Sequence, residues 1–525
     1  MYASHGFLRS DIGDVDVLFH DGQFHLFHLV LPNHDFIAHA VSEDGLNWRR
    51  VKNALFVGEP GSWDDDMLWT MHVSADPDRA GQWRMFYTGL ARSEFGRVQR
   101  VGLARSSDLI HWERDESGCF PLQIAGEQYE TSIDEGRKWV SFRDPFFFQD
   151  PDSGRRMLLA AGRVKQGPLV RRGCVAAAHE TSPGEFEFQP PLHRPGIYDD
   201  VEVPNLIKID QRYYLLGSIR EDTKVHYWYA DDLDGPFLNF FDNVVLPRGN
   251  YAGRVCRWND QGTDRWLLFN FFAKRENHYG RDISKKLLPP PKLIVTDDTG
   301  RLRLKSYPGF DRLVCEDCDV PEPTTLDRLF NNPTALSVGD HQQMHLECRS
   351  GYEAFLLPGR YESFRLRATV GLEGSGKCGM VLRVDEEGNG YYLSLDLYKG
   401  VAQLRAWGVR EAAELEHAFK YEQLQAGYFV SRTDGPWEIE VVAHGMYLEV
   451  SIGGAVTLSL VDDAYCGGRL GFYSESSKIL VEGLQVQRLN PPEQEQPTGP
   501  IYTSGATQPM PEVGAAMTSI PEPLT

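Results

Sequence analysis

The sequence predicts an all-β protein: a five-bladed β-propeller over residues 1–305, a linker at 306–329, a β-sandwich over 330–489 and a disordered tail at 490–525. Three observations carry that expectation. The chain holds 11 Trp, 22 Tyr and 28 Phe beside 50 Gly and 31 Pro, a balance that favours short strands and tight turns over long helices. Its first 300 residues contain a degenerate repeat of strand, turn, strand and closing serine-aspartate turn. After about residue 330 the alternation of apolar and polar residues continues without that repeat.

The repeat units follow in order. The first runs from Asp14-Val-Asp-Val-Leu-Phe19 through the turn His20-Asp-Gly22 and Phe24-His-Leu-Phe27 to Ser42-Glu-Asp44 and Trp48. A second carries Trp83-Arg-Met-Phe-Tyr-Thr-Gly89, Ser106-Ser-Asp108 and Trp112. Asp144-Pro-Phe-Phe-Phe148, Arg156-Met-Leu-Leu-Ala160 and Val175-Ala-Ala-Ala178 form the third. The fourth has Val203-Pro-Asn-Leu-Ile-Lys208, Tyr213-Tyr-Leu-Leu-Gly217 and Val225-His-Tyr-Trp-Tyr229. A weaker fifth joins Gly253-Arg-Val-Cys-Arg257, Trp266-Leu-Leu-Phe-Asn270 and Lys292-Leu-Ile-Val295. Units of roughly 45 to 60 residues with about four strands each are what propeller blades look like in sequence.

Beyond the propeller, Cys315, Cys318 and the Pro321-Glu-Pro323 turn mark a linker. Segments such as Phe364-Arg-Leu-Arg-Ala-Thr-Val370, Tyr391-Tyr-Leu-Ser-Leu395 and Trp437-Glu-Ile-Glu-Val-Val442 then alternate with near period two, as strands of a sandwich do. From Asn490 onward the chain is rich in Pro, Glu, Thr and Gly and poor in apolar residues, a composition that does not support a core.

Bulk properties exclude some functions. A formal charge of −21 argues against nucleic acid, because nothing neutralises phosphates. No apolar run reaches the ~20 residues of a membrane span. Met1 to Gly13 shows no basic region followed by an apolar stretch, so a cytoplasmic location is expected, or a secreted one if a further segment precedes Met1. Of the eight cysteines only Cys315 and Cys318 have metal-ligand spacing, and with no second pair they do not make a four-ligand site.

The residues with chemical potential are three carboxylates, each at the head of a strand: Asp14, Asp144 and Glu202. They lie 130 and 58 residues apart, so only a fold that returns repeatedly to one axis brings them together. In a propeller the first strand of each blade lines the central channel, which puts all three at one mouth. Three converging carboxylates suit glycosidic bond cleavage, with one as nucleophile or base, one as acid and one orienting. Each also has a plainer reading. Asp14 is read as a turn residue, Asp144 beside Arg143 as half of a structural ion pair, and Glu202 after Asp199 and Asp200 as part of a solvated acidic loop. Asp16, two residues from Asp14 on the same strand face, is read as its partner. Around the mouth, Trp63, Asp64 and Trp69 in the segment Gly61–Trp69 are candidates to stack on a sugar ring and to bind its hydroxyls. Arg143 is a candidate to balance local charge, and His28 and Trp258 are weaker candidates that packing explains as well.

These motifs resemble the β-propeller glycosidases of glycoside hydrolase families 32 and 43, over roughly residues 7 to 300. Phe142-Arg-Asp-Pro145 is similar to the Arg-Asp-Pro motif of family 32, and Glu202-Val-Pro-Asn205 to its Glu-Cys-Pro motif. Phe86-Tyr-Thr-Gly89 and the turns at Ser42–Trp48 and Ser106–Trp112 also resemble that family. The resemblance implies that Asp14 is the nucleophile, Asp144 the transition-state stabiliser and Glu202 the general acid/base. At the first motif the chain differs. Gly13 and Val15 stand where family 32 has Asn and Pro around the aspartate, Leu29 stands for a glutamine of the next strand, and Val203 for the cysteine. The spacing there is closer to family 43, in which Asp14 would be the base of an inverting reaction.

The expected function is therefore hydrolysis of fructofuranosyl or related furanosyl linkages by a retaining mechanism, with a carbohydrate as partner and with no cofactor or metal. An inverting arabinofuranosidase or xylosidase, and a catalytically silent sugar-binding propeller, are the alternatives. The oligomeric state is not legible from the sequence.

Overall fold

The computed structural model describes residues 11–124, 126–272, 287–409, 419–431 and 435–492. They form two β domains. Among the described residues no helix is long and apolar enough to cross a membrane. The tail expected from residue 490 lies, beyond Pro492, outside the described residues.

Five antiparallel sheets make up the propeller, each a meander of four consecutively paired strands, to which the first adds the short strand Leu55–Phe56 beside Phe36–Ser42. Their inner strands are Asp11–His20, Met67–Ala75, Arg143–Gln149, Glu202–Ile209 and Asn250–Asp260, one for each of blades I to V. These strands touch in ring order from I to V, and V closes back on I. Blade V ends with Leu302–Lys305. The second strands are near-continuous apolar runs, such as Trp83–Leu90 in blade II, because both of their faces lie against neighbouring blades.

Local chemistry closes the units. Asp44 Oδ1 accepts the amides of Leu46 and Asn47 at 2.8 Å, and Asp108 Oδ1 accepts those of Ile110 and His111 at 2.9 and 2.7 Å. The carboxylate thus replaces backbone partners in the turn. The tryptophan that follows fills the seam between blades. Trp112 meets Phe27 edge-on at 5.7 Å, and Trp48 packs near Phe24 and Phe269.

The second domain is one large sheet bent into a sandwich around a continuous apolar core. Its hub is the 21-residue strand Arg469–Leu489, which pairs with Gln343–Leu356 on one edge and with Lys377–Val384 and Phe364–Glu373 on the other. The 306–329 stretch read as a linker supplies Val314–Cys318, a strand that pairs with the end of this hub. A proline-rich segment concealed it, since its residues are mostly exposed and show no apolar alternation. At the domain junction Val442, Tyr447 and Leu489 join a core with Phe272, Leu293 and Phe310, so the sandwich braces blades V and I.

Candidate active site

Each of the five inner strands breaks register once, near its start. The shifts fall between Ile12 and Val15, Trp69 and Met71, Arg143 and Phe146, Glu202 and Asn205, and Tyr251 and Arg254. A bulge leaves a residue unpaired and re-aims its side chain. Three of these bulges hold a non-glycine residue in the left-handed region, with φ of 61° at Asp144, 49° at Val203 and 52° at Ala252. For β-branched Val203 that is costly, on the order of 1–3 kcal/mol, the kind of strain that clusters at working sites. The bulges lie level around the channel mouth and contribute Asp14, Thr70, Asp144, Glu202 and Tyr251.

Asp14, Asp144 and Glu202 line a single cavity of about 160 Å³ together with Gly13, Leu29, Leu31, His34, Trp69, Arg143, Arg220 and Phe271. The three carboxylates of blades I, III and IV thus meet in space. A larger cavity of about 710 Å³ lies between the propeller and the sandwich and includes none of the three.

The surroundings of each carboxylate differ. Thr70 Oγ1 donates to Asp14 Oδ2. Burial, with the charges of Asp144 and Glu202, raises the Asp14 pKa to about 7 against the Thr70 bond and the more distant Arg254. Asp144 takes the Val203 amide on Oδ2 at 3.0 Å, and its own amide donates to Thr88 Oγ1 at 3.1 Å. Burial raises its pKa as well, with Arg143 opposing. Glu202 is held on both oxygens. Arg143 Nη2 lies 2.5 Å from Oε1, Arg220 Nη2 lies 3.2 Å from the same atom, and Tyr251 Oη donates to Oε2. Burial beside Glu202 keeps the Tyr251 phenol neutral, a donor at any ordinary pH.

The acidic run before Glu202 does not charge the pocket. Asp200 is paired with Arg137 at 3.0 Å and with Arg143 at 3.1 Å. Burial opposes its ionisation, but the two guanidinium groups outweigh that and hold it below the usual carboxylate range. Asp199 pairs with Arg137 and Arg163. Asp16 is not the partner of Asp14 either. It lies deeper in the channel and accepts the Val73 amide at 2.7 Å, with His72 Nδ1 at 3.1 Å and Arg254 Nε at 3.6 Å. Arg254 is fully buried and also donates to the carbonyls of Pro204, Pro145 and Met71, so one guanidinium links blades I to V at the axis.

Of the remaining sequence candidates, Arg143 and Trp69 line the cavity, with Trp69 stacked on His34 at 5.5 Å. Trp63 does not line it: the ring packs on Tyr87 at 5.7 Å, against the space left by Gly89 and Gly102. Asp64 is buried, accepting Tyr87 Oη at 2.9 Å and Arg114 Nε at 2.8 Å within blade II. His28 is fully buried, its Nδ1 2.9 Å from the Leu29 carbonyl, and burial lowers its pKa to about 3. Trp258 belongs to the core between blades V and I. These four serve the fold: strand alternation turns His28 and Trp258 away from the axis, and Trp63 and Asp64 lie in the turn before Met67–Ala75 with their side chains against blade II. Thr70, Arg220 and Tyr251 were missed, and only the bulge position, equivalent in every blade, distinguishes Thr70 and Tyr251.

Residues 14–266 match the family model "Glycosyl hydrolases family 32 N-terminal domain", and the match begins at Asp14. A levansucrase of Pseudomonas syringae pv. actinidiae is 29% identical over 141 residues, 22% of this chain and 31% of that protein. A levanase of Bacillus sp. (strain L7) is 28% identical over 157 residues, 28% of this chain and 16% of that one. The aligned stretches thus span less than a third of these curated relatives. Among solved structures, fructan 1-exohydrolase IIa of Cichorium intybus superposes with a TM-score of 0.67 at 13% identity, covering 93% of this chain and 97% of that one. An exo-inulinase of Aspergillus awamori gives 0.63 at 14% identity, covering 92% and 96%. At such identity the likeness establishes the two-domain fold.

Proposed function

Since residues 14–266 belong to glycoside hydrolase family 32, we propose that this protein is a glycosidase that releases a terminal fructofuranosyl or related furanosyl residue by a retaining mechanism. The observation that carries the reading is the meeting of Asp14, Asp144 and Glu202 from three blades in one cavity of about 160 Å³. A compact pocket at the head of the channel suits capture of a single sugar ring, and terminal attack is the action proposed.

Asp14 attacks the anomeric carbon while Glu202 gives its proton to the leaving oxygen, so the glycosidic C–O bond breaks as an ester to Asp14 forms. Water then attacks the same carbon, passes a proton to Glu202 and frees Asp14. Asp144 accepts hydrogen bonds from ring hydroxyls that strengthen as positive charge develops on the ring. Arg143 bonds Glu202 and Asp200 together, fixing the acid/base in orientation. Tyr251 serves as a neutral donor to Glu202 whichever protonation state the cycle requires.

A panel of sucrose, inulin, levan and the p-nitrophenyl arabinofuranoside and xyloside tests this, with Asp14→Asn and Glu202→Gln alongside. The expected result is fructose release that each substitution lowers by about 10²–10⁴-fold or more. The first-formed anomer, followed by NMR, should keep the substrate configuration. Inversion, or activity on the pentosides alone, would replace the mechanism with that of a single-displacement furanosidase.

A further inference from the structure

The cavity that holds the three carboxylates has two chemically different walls. Blades III and IV contribute Arg143, Asp144, Glu202 and Arg220, all with ionisable side chains. Across the channel, at the seam of blades V and I, blade I contributes Asp14, and the rest of the described lining there is Gly13, Leu29, Leu31 and Phe271. Leu29 is 3% exposed and Phe271 7%, so these side chains are seated in the wall rather than loose above it. Stacked Trp69 and His34 complete the rim.

The apolar wall is built, not incidental. Leu31 pairs with Asp11 across blade I, and the bulge between Ile12 and Val15 turns Asp14 toward the axis while Gly13 faces Leu29 and Leu31. A Cβ on Gly13 would stand 2.9 Å from Leu29 Cβ and 3.3 Å from Leu31, so no side chain fits at 13 while these leucines stay. Gly13 and Leu29 therefore form one packing unit, and neither presents a side-chain donor or acceptor to a ligand.

We propose that this pocket selects a furanosyl residue by hydroxyls on one side only: those facing Arg143, Asp144 and Glu202 are read, and the edge lying on Gly13, Leu29, Leu31 and Phe271 is accepted without a hydroxyl. The preferred substrate class is a furanosyl unit that is hydroxyl-poor along that edge. This rests on the furanosidase reading above and specifies the ring it takes. The asymmetry follows from how sites discriminate. A site built to bond a hydroxyl rejects the analogue lacking it strongly, by 10⁴ or more in favourable cases, whereas an apolar surface disfavours an added hydroxyl by only about 10².

The test is kcat/KM for p-nitrophenyl β-D-fructofuranoside and its four derivatives deoxygenated singly at C1, C3, C4 or C6. Two classes are expected: at least one hydroxyl whose removal costs about a hundredfold or more, and at least one whose removal is neutral within about threefold or raises kcat/KM by up to about a hundredfold. Losses above about tenfold at all four positions would overturn the proposal. Leu29→Gln puts a polar group on the apolar wall, and should shift the ratio of parent to tolerated deoxy substrate about tenfold toward the parent. An unchanged ratio in that folded variant would also overturn it. If wild type releases no sugar from any member, the hydrolase reading is what fails. The wall is then tested by the affinities of the same five compounds, in which the same two classes should appear and a uniform loss would refute it.

Discussion

Asp14 and Asp16 sit two residues apart on one strand, yet the mouth and the floor of the channel treat them in opposite ways. At the floor Asp16 is met by the Val73 amide, His72 and the fully buried Arg254, which itself ties three further carbonyls. At the mouth Asp14 receives the Thr70 hydroxyl, while burial and the two other carboxylates of its cavity raise its pKa to about 7. The same side chain is structural where buried donors compensate it and reactive where like charges and burial leave it under-compensated. Between these two aspartates it is the donors around each, and not burial alone, that make the difference.

The sharpest way to break this comparison is at the floor. Asp16→Asn leaves Arg254 buried without its nearest counter-charge, which is expected to cost about 3–5 kcal/mol. Thermal unfolding should then fall by roughly 6–20 °C at the usual 2–4 °C per kcal/mol. Unchanged stability would show that the floor is not held by charge. A smaller effect is expected at the mouth from Thr70→Val, which removes the bond that favours ionised Asp14. The acid limb of the kcat/KM profile should move to higher pH by roughly half to one unit, as loss of one hydrogen bond of about 0.5–1.5 kcal/mol implies. The limb reports the interacting carboxylates jointly. A limb that stays in place would remove Thr70 from the tuning of the site.

The smallest expected effect concerns stability at the mouth. Burial places the folded pKa of Asp14 near 7, well above that of an unfolded aspartate near 3.9. Between those values the folded chain binds more protons than the unfolded one, so this group makes stability fall as pH rises through about 4 to 7. Asp14→Asn abolishes that contribution. Its melting temperature should match wild type near pH 4 and exceed it by roughly a few degrees at pH 8, a common trade of stability against activity. An equal or lower melting temperature at pH 8 would mean that the native site compensates Asp14 after all.

Much of the architecture was legible because propellers repeat. The serine-aspartate turns, the seam tryptophans Trp48 and Trp112 and the apolar second strands recur at intervals that local chemistry enforces. The strand Val314–Cys318 was not legible, since it earns its place only by pairing with Val486–Leu489, which lies far along the chain. Asp14, Asp144 and Glu202 were readable as strand-head carboxylates flanked by recognisable motifs. Trp63, Asp64 and His28 were misjudged for the opposite reason: residue type suits a sugar site, but direction decides the role, and the turn before Met67 and the pleat of blade I aim these three into the interiors of blades II and I.

What the sequence by itself determined is most of the strands, their turns and the three carboxylates, because periodicity, turn chemistry and residue type act over a few neighbours. Only the tertiary structure decided which carboxylates are compensated, where polar and apolar groups line the cavity, and that Thr70, Arg220 and Tyr251 belong to the site. Closing five blades around one axis juxtaposes groups tens to hundreds of residues apart, and the electrostatics of a buried site depends on those neighbours rather than on the local chain.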